Sequence, residues 1–109
     1  VRVVRPDGTE RVFPVDGAPD NINLAPDGRL IVAAQPRLVP FARYRFGEAE
    51  RAASRILALD LETGGQTLLF EDPDGALFSG ATAAVLVGDA LIAGSVRDRG
   101  LLVCRAPGE

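Results

Sequence analysis

Residues 23–33 read Asn-Leu-Ala-Pro-Asp-Gly-Arg-Leu-Ile-Val-Ala, and this stretch gives the clearest indication of the fold class. A segment with alternating polar and apolar residues ends at Leu24, and a continuous apolar run covers Leu30–Ala34. Between them, proline presets φ and glycine tolerates a positive φ, so Pro-Asp-Gly favours a tight turn. An apolar run this short is typical of a strand that is buried on both faces. The stretch therefore predicts two strands joined by a tight turn.

The same alternation of strands and turns extends to both sides of this hairpin. Pro-Asp-Gly recurs at residues 6–8 and 73–75, and Glu-Thr-Gly-Gly occupies residues 62–65. Short strands separated by such turns indicate an all-β sandwich, barrel or propeller. We predict nine strands, at Val1–Arg5, Arg11–Val15, Asn21–Leu24, Leu30–Ala34, Arg55–Leu61, Gln66–Phe70, Thr82–Val87, Ala90–Ser95 and Gly100–Arg105.

Residues 36–54 break this regularity. The segment contains prolines, arginines and three aromatic side chains, and it shows no period of two. We expect a surface insertion, with one or two helical turns over Glu48–Ser54. Two interpretations of Phe41 and Tyr44 stay open. They wall a substrate pocket, or they pack the insertion onto the edge of a sheet, as aromatic side chains commonly do.

The order of the strands favours a propeller, whose blades are four antiparallel strands joined by hairpins. Residues 20–71 fit one blade with the insertion at 36–54, and residues 1–17 fit the outer half of a preceding blade. Residues 80–105 fit a last blade that lacks its closing strand. A weak repeat supports this, because residues 23–33 parallel residues 84–94. We predict that residues 1–109 form about two and a quarter blades of four-stranded antiparallel sheet.

Composition excludes several classes of function. The 109 residues contain no histidine and one cysteine, so zinc-finger, Ser-His-Asp and Cys-His sites are excluded within this chain. A net charge of −3 with scattered arginines gives no reason to expect a nucleic-acid partner. No apolar run approaches the ~18 residues of a membrane span.

The absence of lysine, with many arginines and alanines, suggests a GC-rich bacterial genome. The chain begins at Val1 in strand-like sequence, and we expect further sequence upstream. A targeting segment would lie there, so secreted, periplasmic and membrane-anchored locations all stay open.

The segment Pro19–Pro36 resembles the paraoxonase/arylesterase family, in which an Asp-Asn pair opens an inner strand before a turn and an apolar strand. Ser79–Cys104 resembles the C-terminal end of the same family, which belongs to a wider group with the gluconolactonase and strictosidine-synthase-like proteins. The resemblance implies the C-terminal part of a calcium-dependent six-bladed β-propeller, with the N-terminal blades missing. In secreted members a terminal cysteine pairs with an N-terminal one, while Cys104 also fits a buried free thiol.

By this resemblance, Asp20 and Asn21 are ligands of an active-site calcium ion. Calcium takes about 6–8 oxygen ligands, and carboxylate and amide oxygens are among those it prefers. The ion polarises an ester or lactone carbonyl as a Lewis acid. The alternative is that Asp20 and Asn21 are turn formers bonded to nearby backbone. Two ligands do not hold calcium alone, so we expect these 109 residues by themselves to bind it weakly or not at all, and to be inactive.

Gln35 departs from the family pattern, which has a histidine before the proline at this place. Glutamine does not accept a proton near neutral pH, although it orients water or substrate by hydrogen bonds. The catalytic base is therefore unknown: another residue serves, the substrate class has shifted, or activity has been lost. A plain polar residue at a strand end is the further alternative.

Two functions follow from these features. One is part of a calcium-dependent hydrolase that acts on small esters or lactones. The other is a propeller of the same group that serves as a non-catalytic binding or scaffold module, since a fold does not fix a function. A stand-alone small β domain is the third hypothesis.

Overall fold

The computed structural model describes residues 1–106, which contain nine strands and one helix. These are β1 (Arg2–Val4), β2 (Glu10–Val12), β3 (Ala18–Leu24), β4 (Leu30–Gln35), α1 (Leu38–Arg45), β5 (Ser54–Leu59), β6 (Gln66–Asp72), β7 (Ala81–Val87), β8 (Ala90–Ser95) and β9 (Leu102–Arg105). The all-β prediction is confirmed. The polar tail that the sequence suggests after Arg105 lies, from residue 107 onward, outside the described residues.

The strands form three antiparallel sheets in chain order. A two-stranded sheet holds β1 and β2, a four-stranded sheet holds β3 to β6, and a three-stranded sheet holds β7 to β9. Each strand pairs with the next one along the chain wherever both belong to one sheet. The groups correspond closely to residues 1–17, 20–71 and 80–105, which the sequence pattern separates.

The core lies between the four-stranded and the three-stranded sheets, where β7 packs on β3 and β4. Ile31 and Ile56 of the four-stranded sheet and Leu91 of the three-stranded sheet belong to this core, together with Phe78 from the loop before β7. Ala81 and Ala84 bring the backbone of β7 close to its neighbours, because an alanine adds little volume to the interface. The alternation predicted for β5 is confirmed, since Ile56 and Ala58 belong to this core cluster while Leu57 and Leu59 do not. The largest apolar interface of the described chain thus joins two sheets.

The two packed sheets have two unlike ends. At the end that we call the turn end, short turns join β3 to β4, β5 to β6 and β7 to β8. At the opposite end, which we call the site end, β3, β5 and β7 begin and β4, β6 and β8 finish. The connections there are longer, and one of them contains α1.

The helix prediction is wrong in position, because residues 48–53 are not helical and α1 covers Leu38–Arg45 instead. Pro40 lies in the first turn, where the missing N–H costs nothing because that group has no partner inside a helix. The N–H of Gly47 donates to the Tyr44 carbonyl just beyond the helix. Nor does the segment lie wholly on the surface, since Tyr44 is buried. No helix of the described chain is long and apolar enough to cross a membrane.

Candidate functional site

Asp20 and Asn21 lie in a β-bulge at the site end of β3. Pro19 pairs with Ala34 and Ile22 pairs with Val32, so two residues of β3 oppose the single residue Ala33 of β4. A bulge of this kind bends the strand and redirects its side chains, and bulges are over-represented next to active sites. Both Asp20 and Asn21 are exposed. The turn interpretation is therefore replaced by a position inside a strand.

The same bulge occurs in β7. Ala81 pairs with Ser95 and Ala83 with Gly94, so Thr82 is an extra residue and two residues of β7 again oppose one of the next strand. The bulged pair Asp20-Asn21 thus corresponds to Thr82-Ala83, and Pro19 corresponds to Ala81.

This register corrects the sequence repeat, in which Asn23 is aligned with Ala84. The second strands match as proposed, because Val32 corresponds to Ala93 in the two ladders. The first strands are one residue out of step, since Ile22 and not Asn23 corresponds to Ala84. The physical reason is that the β3–β4 loop has five residues and the β7–β8 loop has two, while the β7–β8 ladder continues one pair further toward its turn.

Side-chain amides of β3 bind the backbone of β7. Asn21 Nδ2 donates to the Thr82 carbonyl at 2.9 Å, and Asn23 Nδ2 donates to the Ala84 carbonyl at 2.8 Å. β7 is an edge strand of its sheet, and a free edge presents backbone groups that need partners. The two asparagines satisfy carbonyls on this edge. The Asn21 amide nitrogen is thereby occupied, while its Oδ1 atom has no hydrogen bond within the described residues.

Gln35 is buried at the end of β4, with 3% of its surface exposed. Its Nε2 atom donates to the Ala81 carbonyl at 2.9 Å, and its Oε1 atom is buried without a hydrogen-bond partner in the described chain. Burying an unpaired amide oxygen costs about 1–3 kcal/mol. Gln35 is thus a buried link between two sheets, and the plain strand-end interpretation does not account for that position.

Ser54 also binds Ala81, the residue of β7 whose carbonyl accepts a hydrogen bond from Gln35. Its hydroxyl donates to the Phe78 carbonyl at 2.6 Å and accepts from the Ala81 N–H at 3.0 Å. Ser54 is fully buried. Both backbone groups of Ala81 therefore bind side chains of the four-stranded sheet, which fixes the start of β7 more firmly than sheet pairing alone.

Phe41 and Tyr44 of α1 pack against Gly80. A Cβ atom at Gly80 would lie 2.7 Å from Tyr44 Cε2 and 3.4 Å from Phe41 Cε1, so this close approach needs glycine. Gly80 also has a φ of +58°, which side chains disfavour. The Tyr44 hydroxyl lies 3.2 Å from Ser95 Oγ. Helix α1 is thus anchored at the site end of β7 and β8.

Three consecutive residues, Gly80-Ala81-Thr82, therefore contact four of the five residues that the sequence singles out. Phe41 and Tyr44 contact the first, Gln35 binds the second, and Asn21 binds the third. Asp20 is adjacent to Asn21 in the chain, and it makes no hydrogen bond or ion pair to any other residue in the range 1–106. We call Gly80-Ala81-Thr82 the hub. The close Gly80 contact depends on residues far away in the chain.

A polar cleft opens beside the hub, with a volume of about 300 Å³. We call it the arginine cleft, because Arg51, Arg97 and Arg99 line it together with Tyr44, Glu50 and Asp98. Phe41 does not line it, although it packs against Gly80 beside Tyr44. In the sequence these arginines look like part of a scattered set, because they belong to two loops that only the fold brings together.

The bulge offers calcium two oxygen donors, the Asp20 carboxylate and Asn21 Oδ1. Both are exposed and lie on consecutive residues, which suits a hard cation that prefers such oxygens. No group of three or more His, Cys, Asp or Glu side chains that could hold a metal occurs within the described range. The residues present therefore fit a share of a calcium site, and further ligands would come from other segments.

No protein-family model matches this chain, and no curated protein matches it either. The resemblance to the paraoxonase/arylesterase family therefore stays a prediction that the motifs alone carry.

Proposed function

We propose that the three sheets are consecutive parts of a six-bladed propeller, within a larger protein that we call the parent protein. The repeated bulge supports this, because it makes the first strands of two neighbouring sheets equivalent. The outer face of the three-stranded sheet supports it too. There Val85, Ile92 and Val103 are cross-strand neighbours, and Val103 is 64% exposed. An apolar row of this kind fits a further sheet packed on it.

We propose that the parent protein is a calcium-dependent hydrolase of esters or lactones, and that this chain supplies part of its site. The observation that carries the proposal is the β3 bulge, which leaves a carboxylate and an amide oxygen exposed side by side. Asp20 would contribute charge to the cation, and Asn21 would contribute a neutral oxygen. Bound calcium would polarise the substrate carbonyl as a Lewis acid.

The residues around the bulge have positioning roles in this proposal. The Asn21 amide nitrogen donates to the Thr82 carbonyl, which orients the amide and leaves its oxygen without a partner in the described residues. Ser54 and Gln35 fix Ala81, the neighbour of Thr82. A ligand whose partners are already fixed loses less conformational entropy on binding a cation.

A second candidate is a non-catalytic binding module of the same architecture. The placement of Gln35 favours it, because the side chain at the place of the family histidine is buried and bonded to a backbone carbonyl. A residue in that state does not act as a general base. A hydrolase would then need a base from the remainder of the parent protein.

The test is hydrolysis of γ-butyrolactone and phenyl acetate by the parent protein, with and without chelator. We expect activity that chelator abolishes and calcium restores. Asp20→Asn removes one ligand charge and should lower kcat/KM at least tenfold at limiting calcium. The matched control Asp16→Asn changes an exposed carboxylate outside the bulge and should leave the rate unchanged.

Two results would contradict the proposal. Activity that persists in excess chelator would exclude calcium as the electrophile. Absence of hydrolysis in a calcium-binding parent protein would leave the binding module as the better description.

A further inference from the structure

The arginine cleft has a charge pattern that suits a small organic anion. Three guanidinium groups and two carboxylates line it, which leaves one excess positive charge in a chain whose net charge is −3. An arginine guanidinium presents parallel N–H groups that match the two oxygens of a carboxylate. The lining of the cleft thus has a net positive charge, whereas the chain as a whole has a net negative charge.

Part of the cleft is held in place before any ligand binds. Arg97 Nη1 donates to the Tyr44 carbonyl at 2.7 Å, and its guanidinium lies 5.6 Å from the centre of the Tyr44 ring. Asp98 Oδ2 accepts the N–H of Ser79 at 2.8 Å, which ties the loop after β8 to the loop before β7. The cleft is therefore a feature of the packed fold at its site end.

Two further guanidinium groups in the cleft have no partner among the described residues. The side chains of Arg51 and Arg99 are exposed and make no hydrogen bond or ion pair to other residues in the range 1–106. They come from different loops, so two guanidinium groups face one space of about 300 Å³. That space is at the small end of the volumes in which proteins bind small molecules.

We infer that the arginine cleft binds the carboxylate of a small hydroxy acid. The identity of the acid rests on the proposed function. Hydrolysis of a lactone adds one water across the acyl–oxygen bond and gives a hydroxy acid, which at neutral pH is a carboxylate and a released proton. Ser79, which lies in the cleft, directly precedes the hub. At the other end of the hub, Asn21 of the candidate calcium site is bound to Thr82.

Tyr44 makes this inference directly measurable. It is the only tyrosine, the chain has no tryptophan, and it lines the cleft. We would titrate the 109-residue chain with 4-hydroxybutyrate in the presence of chelator and follow tyrosine fluorescence. We expect a saturable change that weakens as salt rises, because exposed charges are screened over about 8 Å at physiological ionic strength. The neutral analogue 1,4-butanediol should give no saturable change.

The decisive variant is the double change Arg51→Gln and Arg99→Gln. It should weaken 4-hydroxybutyrate binding about tenfold, since charge-assisted hydrogen bonds are the stronger class. The matched control Arg43→Gln alters an exposed arginine of α1 that does not line the cleft, and binding should stay as in the wild type. Circular dichroism and urea unfolding should be the same for all three proteins, because these arginines are exposed.

Several results would overturn the inference. They are equal binding of butanediol, an unchanged affinity in the double variant, tighter binding of inorganic phosphate, or a requirement for calcium. The outcome is separable from the proposed function. If the chain binds 4-hydroxybutyrate while the parent protein hydrolyses no lactone, only the proposed function fails. If the parent protein hydrolyses lactones and the chain does not bind the acid, only the inference about the arginine cleft is wrong.

Discussion

The two ends of the packed sheets differ in how far apart in sequence their contacting residues lie. At the turn end, the Ala25 N–H donates to the Arg29 carbonyl and the Gly28 N–H to the Ala25 carbonyl, so a few neighbouring residues close the turn. At the site end, contacts join residues far apart in sequence, such as Asn21 with Thr82 and Tyr44 with Ser95. The bulges at the starts of β3 and β7, the helix and the buried Gln35 lie at the site end, and a third bulge lies within the β5–β6 ladder at Leu69.

This difference locates where the molecule departs from regular sheet. Bulges, close backbone approaches and unpaired buried polar atoms cost stability, and they persist where the surrounding structure over-determines them. The turn end has short loops, although some of its groups also bond across the chain, as Arg11 Nη1 does to the Leu61 carbonyl and the Ala106 N–H does to the Asp89 carbonyl. We therefore expect substitutions at the site end to cost more than matched substitutions at the turn end.

The largest expected effect is that of Gln35→Glu. The new carboxylate would place an oxygen against the Ala81 carbonyl in a site that is 3% exposed, so burial would raise its pKa and oppose ionisation. We expect a loss of about 4 kcal/mol in the free energy of unfolding at pH 7, and less at pH 4. Gln35→Leu is the control, with a loss of about 1 kcal/mol, because it also removes the unpaired Oε1. Equal losses for both variants in urea unfolding at pH 7 would refute the buried link.

A smaller effect separates two glycines at opposite ends of β7. Gly80 and Gly88 have nearly equal φ values of +58° and +60°, so alanine meets similar backbone strain at both. Its Cβ would lie 2.7 Å from Tyr44 Cε2 at Gly80, and within 4 Å of nothing at Gly88. We expect Gly80→Ala to cost about 3 kcal/mol and Gly88→Ala about 1 kcal/mol, measured by urea unfolding. Equal costs would show that backbone strain alone decides.

The smallest expected effect is on the acid limb of stability. Burial raises the pKa of Asp72, but the backbone N–H groups of Phe78 and Leu77 lower it further, so that its pKa lies below the ordinary 3.8. A lowered folded-state pKa gives stability that is present above pH 3.8 and is lost as pH falls through the folded value. At the turn end, the N–H of Arg29 lowers the pKa of the fully exposed Asp27.

We therefore expect Asp72→Asn to flatten the fall in unfolding free energy below pH 4, and Asp27→Asn to flatten it less, because solvent screens the exposed group. Urea unfolding at a series of pH values measures both slopes. A wild-type slope in Asp72→Asn would contradict the lowering of this pKa by the Phe78 and Leu77 N–H groups.

The strands and the turn end are predictable from local sequence patterns. The run Leu30–Ala34 and the alternation of Ile56 with Leu57 specify strands through hydrophobic patterning, which acts residue by residue. Pro26-Asp27-Gly28 specifies its turn through backbone preferences of a few adjacent residues. Such information is local, and for that reason the sequence predicts the nine strands. Their order along the chain predicts how they group into sheets.

The arrangement of the site end, in contrast, depends on packing between distant segments. The bulge of Asp20 and Asn21 depends on how β3 pairs with β4, and the position of α1 depends on the space above Gly80. Neither appears in a pattern of adjacent residues, so the sequence placed the helix over Glu48–Ser54 and aligned the repeat one residue out of step on β3. The arginine cleft forms only when loops at Arg51 and Arg99 meet. The physical reason is the same throughout: these features are contacts between segments distant in the chain, and packing rather than local preference fixes them.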